Sequence, residues 1–137
     1  MILLDTNVVS ELMRTEPIDR VARWIAGQPR LGTTAITHAE ILLGVQLLPK
    51  GKRRDALQEV ANDIFEEDFD GRVFSFDGEA ARAYADIVAA RRRAGRPIST
   101  ADAQIAAIAC SLGFDLATRN IGDFEGCGIE LHDPWAD

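Results

Sequence analysis

Asp5 in ILLDTN, Glu40 in THAEI, Asp102 in STADAQIAAIA and Asn120 in LATRN each stand at the N-terminal edge of a predicted helix. In an open α/β sheet, strand ends and helix starts meet at one crevice, so residues distant in sequence gather there. Acids and an amide gathered in this way suit a hard divalent cation such as Mg²⁺, which takes oxygen ligands, keeps several waters and needs only one or two direct carboxylates. Such a site lowers the pKa of a bound water, sets it in line with phosphorus and neutralises charge on the leaving oxygen. Phosphodiester hydrolysis is therefore the leading chemistry. Each acid also has a plain structural account. Asp5 can N-cap the helix after it, Thr37-His38-Ala39-Glu40 matches a capping box, and Asp102 follows Ser99 where a first-turn acid meets the helix dipole. Taken singly, capping is the simpler account. Taken together it weakens, because capping needs an acceptor but not a shared crevice.

Other chemistries find less support. His38 and His132 are the only histidines, and neither has zinc-ligand spacing to a cysteine or to the other histidine. No serine lies in G-x-S-x-G, and neither G-x-x-x-x-G-K-[ST] nor G-x-G-x-x-G occurs. An aspartyl-phosphate enzyme would want D-x-D after the first strand and a lysine beyond Lys52, and both are missing. Thr6, Asn7 and Thr118 read either as turn and cap residues or as groups that orient the acids. Cys110 and Cys127 read as buried free thiols.

The elements that must position these residues follow from hydrophobic period. The apolar run 1–4 predicts a central strand ending at Asp5, and a helix spans 7–13. Pro17 fits the first position of a second helix carrying Ile18, Val21, Trp24 and Ile25, closed by Gly27 and Pro29. Residues 31–36 form a second strand. A helix from Thr37 places Ile41, Leu42, Val45 and Leu48 inward until Pro49 and Gly51. One surface helix covers 53–69, a strand 73–76, and helices 79–93 and 101–112, the last ended by Gly113. Strands at 115–118 and 129–131 flank a short turn around Asp123 and Phe124. This order calls for an α/β fold with a parallel sheet flanked by helices. At 137 residues the chain is a single domain, 1–137. No apolar run reaches the roughly 20 residues that span a bilayer and no signal peptide precedes ILLD, so a cytoplasmic location without membrane contact is expected.

The formal charge of −7 argues against a protein that grips nucleic acid through diffuse positive charge. It does not exclude a nuclease, since a metal-binding acid cluster is itself negative. Two basic patches are candidates for phosphate: Lys50, Lys52, Arg53, Arg54 and Arg91, Arg92, Arg93, Arg96. The second also complements the dipole at a helix C-terminus.

The motifs ILLDTNVVSEL, THAEILLGV, ISTADAQIAAIA and LATRNIGDFEG, in that order, resemble PIN-domain ribonucleases, specifically the VapC- and FitB-type toxins of toxin–antitoxin pairs, over nearly the whole chain. The resemblance implies a three-layer α/β/α sandwich around a mainly parallel sheet, a homodimer, and Mg²⁺- or Mn²⁺-dependent endonucleolytic cleavage of RNA, whether tRNA, rRNA or mRNA. It also implies a cognate antitoxin that inserts a segment beside the acidic pocket. Carried over residue by residue, Asp5 matches the first metal-ligand aspartate, Glu40 the glutamate and Asp102 the third acid. Thr6 and Asn7 match the polar residues after the first aspartate, and Thr118 the hydroxyl residue near the last position. The fourth acidic position falls on Asn120, a neutral supporter, with Asp123 as another source of the charge. Glu40 is expected as a ligand or as the base that orients the attacking water, and Arg91, Arg92 and Arg96 as phosphate contacts. The alternatives are a non-catalytic α/β interaction module, whose acids only cap helices, and another Mg²⁺-dependent phosphohydrolase. Trp24 and Ile25 serve either the core or a dimer interface, core being the better reading.

Overall fold

In the computed structural model, which describes residues 1–136, five strands form a wholly parallel sheet. They are β1 (Ile2–Leu4), β2 (Leu31–Thr34), β3 (Val73–Phe74), β4 (Asp115–Ala117) and β5 (Leu131–His132), in the order β3-β2-β1-β4-β5. The chain lays β2 and β3 on one side of β1 and then crosses to the other side for β4 and β5. That reversal opens a crevice beyond the carboxyl ends of β1 and β4. Seven helices are interleaved: α1 (Thr6–Leu12), α2 (Asp19–Ala26), α3 (Ala35–Gln46), α4 (Lys52–Asp63), α5 (Gly78–Arg93), α6 (Thr100–Leu112) and α7 (Ile121–Phe124).

Successive strand residues point to opposite faces, so the run Leu3-Leu4 requires cover on both. Leu3 packs with Ile87, Ile105, Ile108, Leu116 and Phe124. Leu4 packs with Val8, Val9, Ile41, Phe65 and Ala117. The result is the α/β/α sandwich expected from the sequence. Trp24 and Ile25 join the second cluster and so serve the core. Cys127 is buried and Cys110 half-buried, both free. Among the described residues no helix is long and apolar enough to cross a membrane.

Element boundaries shift where a cap or a local bond outranks hydrophobic period. Thr34, not Thr37, caps α3, its Oγ1 accepting the Thr37 N–H at 3.1 Å. The helix therefore starts at Ala35, and the expected capping box gives way to a Glu40 carboxylate that turns toward α1. Pro17 precedes the N-cap Ile18 instead of opening α2. The buried Glu11 carboxylate accepts the Ile18 N–H at 3.1 Å and fixes that entry. The predicted helix 53–69 is two pieces: after α4 comes a π-helical turn, Ile64–Asp68, where the Phe69 N–H reaches the Ile64 carbonyl at 2.9 Å. This wider turn lets Phe65 and Phe69 both enter the core. The last strand, expected at 129–131, lies at Leu131–His132.

Candidate acidic site

Asp5 is the first residue past β1, and its N–H still bonds the Ala117 carbonyl of β4 at 2.9 Å. Its side chain N-caps α1 with Oδ1, which accepts the Thr6 N–H at 2.8 Å. Oδ2 accepts the Thr118 hydroxyl at 2.7 Å, from the residue just past β4. Capping and crevice thus coexist: one oxygen serves the helix and the other bridges the two strands at the switch point. The residue is only 5% exposed. Burial, helped by the charges of Asp102 and Glu40, raises the Asp5 carboxyl from 3.8 to about 6 despite the two hydrogen bonds that favour its charged form.

The turn after β4 is tied to α1 through amide and hydroxyl groups. Thr118 Oγ1 also accepts the Asn120 N–H at 3.1 Å and lies 3.5 Å from Asn7 Nδ2, while Asn7 Oδ1 accepts the Arg119 N–H at 3.3 Å. On the other side, Thr6 Oγ1 donates to Glu40 Oε1 at 2.7 Å and lies 3.0 Å from Thr37 Oγ1. Because the Thr6 proton goes to Glu40, the Thr37 hydroxyl is the donor of that pair. Sequence reading had given Thr37 only a capping part.

Asp102 occupies the first turn of α6, whose N-cap Ser99 accepts the Asp102 N–H at 3.2 Å. Half-buried, it is pushed up first by burial and then by the charges of Asp123 and Glu40, with Ser99 and Arg91 opposing. Asp5, Glu40, Asp102 and Asp123 therefore share one negative field. Asn120 is exposed and enters the network through its backbone N–H.

The arginine patch divides. Arg91, expected to meet substrate phosphates, is corrected: it is 6% exposed, and its guanidinium donates to the carbonyls of Arg96, Asp123 and Glu125 at 2.6, 3.1 and 2.7 Å. Arg96 bonds the Gly122 carbonyl and the Glu125 carboxylate. Arg92 and Arg93 are exposed. In the other patch Arg54 bonds Gln46, while Arg53 lines a groove of about 830 Å³. The groove opens from Thr6 and Glu40 between α1 and the α3–α4 pair, with Met13, Ile41, Val45 and Leu57 among its apolar walls.

A second cluster escaped the sequence spacing because β4–β5 pairing assembles it. Asp115, Glu130 and His132 bring their ligand atoms within 4.8 Å of one another, with His132 Nε2 2.9 Å from Asp115 Oδ2. Among the described residues no other trio of such side chains is that close, so Asp5, Glu40 and Asp102 stand wider apart.

Comparison with known proteins agrees with this geometry. The PIN-domain family profile matches residues 2–125. Plasmid stability protein StbB of Pseudomonas syringae pv. tomato is 47% identical over 98% of this chain and 99% of its own length. VapC ribonuclease Y4jK of Sinorhizobium fredii is 42% identical over 98% of each chain, and toxin FitB of Neisseria gonorrhoeae 39% identical over 100% of each. The crystal structure of FitAcB from Neisseria gonorrhoeae superposes with a TM-score of 0.93, at 38% identity and 100% coverage of both chains. A profile match over most of the sequence, relatives aligned end to end and a parallel sheet with its acids at the switch point establish that this chain belongs to the PIN-domain family.

Proposed function

We propose that this chain is a metal-dependent endoribonuclease and the toxin half of a toxin–antitoxin pair. The observation that carries the reading is Asp5: a buried carboxylate at the β1–β4 switch point, held at both oxygens, its pKa raised to about 6 first by burial and further by the charges of Asp102 and Glu40. Unrelieved repulsion among acids is what a bound divalent cation removes, so the donor set fits Mg²⁺ or Mn²⁺. A hard cation of this kind keeps several waters in its shell, so it needs only one or two of these carboxylates directly. Asp5 and Asp102 would hold it, with Glu40 as a further ligand or as the base that orients water. When bound, such a cation activates water and neutralises charge on the phosphate.

The protein's own groups prepare that centre. Thr118 and the Thr6 N–H fix both Asp5 oxygens, so the carboxylate does not rotate. Thr37 and Thr6 form a relay of hydroxyls that aims Glu40. Asp123 is the better source of the fourth charge, because its field acts on Asp102, and Asn120 stays a neutral turn residue. Among the exposed arginines, Arg92, Arg93, Arg96 and Arg53 are the ones we assign to RNA phosphates. The names of the relatives, a VapC ribonuclease and a toxin FitB, support RNA as substrate and a toxin's role. The groove beginning at Thr6 and Glu40 offers an antitoxin segment a path to the acids. Leu43 on α3 and Leu47 at its C-cap, 58% and 76% exposed and one turn apart, favour a homodimer. A cytoplasmic location accords with RNA as substrate.

The test is cleavage of end-labelled total tRNA and ribosomal RNA by antitoxin-free protein, with and without Mg²⁺ or Mn²⁺. Discrete metal-dependent fragments are expected, and none from folded Asp5→Asn or Asp102→Asn. Cleavage that survives both substitutions would sink the assignment.

A further inference from the structure

α7 has only four residues, too few for its carbonyls to find partners within the helix, and its N-cap Asn120 supplies no side-chain bond. Its carbonyls are met from outside. Arg91 reaches across from the last turn of α5 to the carbonyls of Asp123 and Glu125, and the same guanidinium, through Nε, holds the Arg96 carbonyl beyond the α5 C-terminus. Phe124, 1% exposed, anchors α7 in the core.

Arg91 is unusual for its burial. Arginine is rarely buried without a carboxylate partner, yet among the described residues its hydrogen bonds go to backbone carbonyls and to Cys127 Sγ at 4.0 Å. A lone buried cation is costly unless negative charge acts on it, and the Asp102 carboxylate is one charge with which Arg91 interacts. Only a rigid fork of donors can hold several carbonyls at once, and arginine has that fork where lysine does not.

We infer that Arg91 is a positioning residue of the acidic centre: by clamping the carbonyls of Asp123 and Glu125 at the end of α7 it fixes where the Asp123 carboxylate stands relative to Asp102, supplying the cation site with a fourth acid. The inference rests on the nuclease reading above and adds to it how Asp123 is placed. It also explains why arginine, and not a solvent-facing phosphate contact, occupies the first position of the run at 91–93.

The experiment is Mn²⁺ titration of RNA-free protein by calorimetry, for wild type, Arg91→Met, Arg91→Lys, Asp123→Asn and the double variant Arg91→Met/Asp123→Asn, each checked for fold by circular dichroism. Both Arg91→Met and Asp123→Asn should weaken Mn²⁺ about tenfold, the scale of losing a group that orients a ligand. The double variant should be within about twofold of Asp123→Asn alone, since the two act through one carboxylate. Arg91→Lys keeps the charge and folds if the neutral variant does not, and it should lose nearly as much affinity. Wild-type affinity in Arg91→Lys or Arg91→Met, or additive losses in the double variant, would overturn the positioning role. An Asp123→Asn protein that binds Mn²⁺ as wild type does would overturn it too. If wild-type protein bound no Mn²⁺ at all, the failure would lie in the nuclease reading itself.

Discussion

Burial of Asp5 couples its chemistry to the stability of the fold. Its folded pKa of about 6 lies above the ordinary 3.8, so the protonated form stabilises the native state. That contribution is complete below about pH 4, declines as pH rises and is gone above about 6; by linkage it amounts to roughly 3 kcal/mol. Asp5→Asn keeps an acceptor for the Thr6 N–H and removes the ionisation. Its melting temperature in the absence of metal should therefore exceed that of wild type at pH 7 and converge with it near pH 4, as scanning calorimetry across that range would record. A wild-type advantage at pH 7 without metal would contradict the assignment. Thr118→Val removes the donor to Asp5 Oδ2 and the acceptor for the Asn120 N–H. It should weaken Mn²⁺ binding about tenfold and cost about 1–3 kcal/mol in urea unfolding.

Helices and strands place these residues with little slack. α3 carries Glu40, and its start is set by one hydroxyl, that of Thr34. Thr34→Ala should cost about 1 kcal/mol in stability and lower RNA cleavage as well, because Glu40 rides on the helix whose start Thr34 fixes. Gly32 in β2 has no room for a side chain: an added Cβ would lie 2.9 Å from the Arg72 carbonyl and 3.0 Å from the Phe74 ring. Gly32→Ala should destabilise by about 1–3 kcal/mol, read as a lower urea midpoint. Most elements were legible in the sequence because apolar period fixes them, as in the run at 1–4 or the alanines and isoleucines of α6. Their ends were not, since Thr34 and Thr37 are both threonines, and only in the folded chain is Thr34 seen to cap while the Thr37 hydroxyl meets Thr6. The π turn was hidden for a similar reason: Phe65 and Phe69 fit an ordinary helical period, and the extra residue appears only in the Phe69–Ile64 bond.

For the whole molecule, a net charge of −7 sets the terms on which RNA would be held under the proposed function. Affinity must come from local arginines and from metal bound at the acids, so RNA binding should be weak in chelator. Replacing Arg92 and Arg93 by glutamine should lower the slope of log affinity against log salt by about 0.7 per lost phosphate contact, while an equal slope would remove them from the interface. The acids were legible as candidates because each borders a strand end or a helix start; the burial of Arg91 was not, because a run of arginines ending a helix looks the same whether it faces solvent or core. Fold closure has a further consequence at this scale. The two edge strands, β3 and β5, are two residues each, so the sheet presents almost no row of free N–H and C=O groups. A partner chain has nothing there on which to extend the sheet by strand addition. Recognition must then be written in helix side chains, where single substitutions change a partner preference without disturbing the hydrogen-bonded frame that holds Asp5.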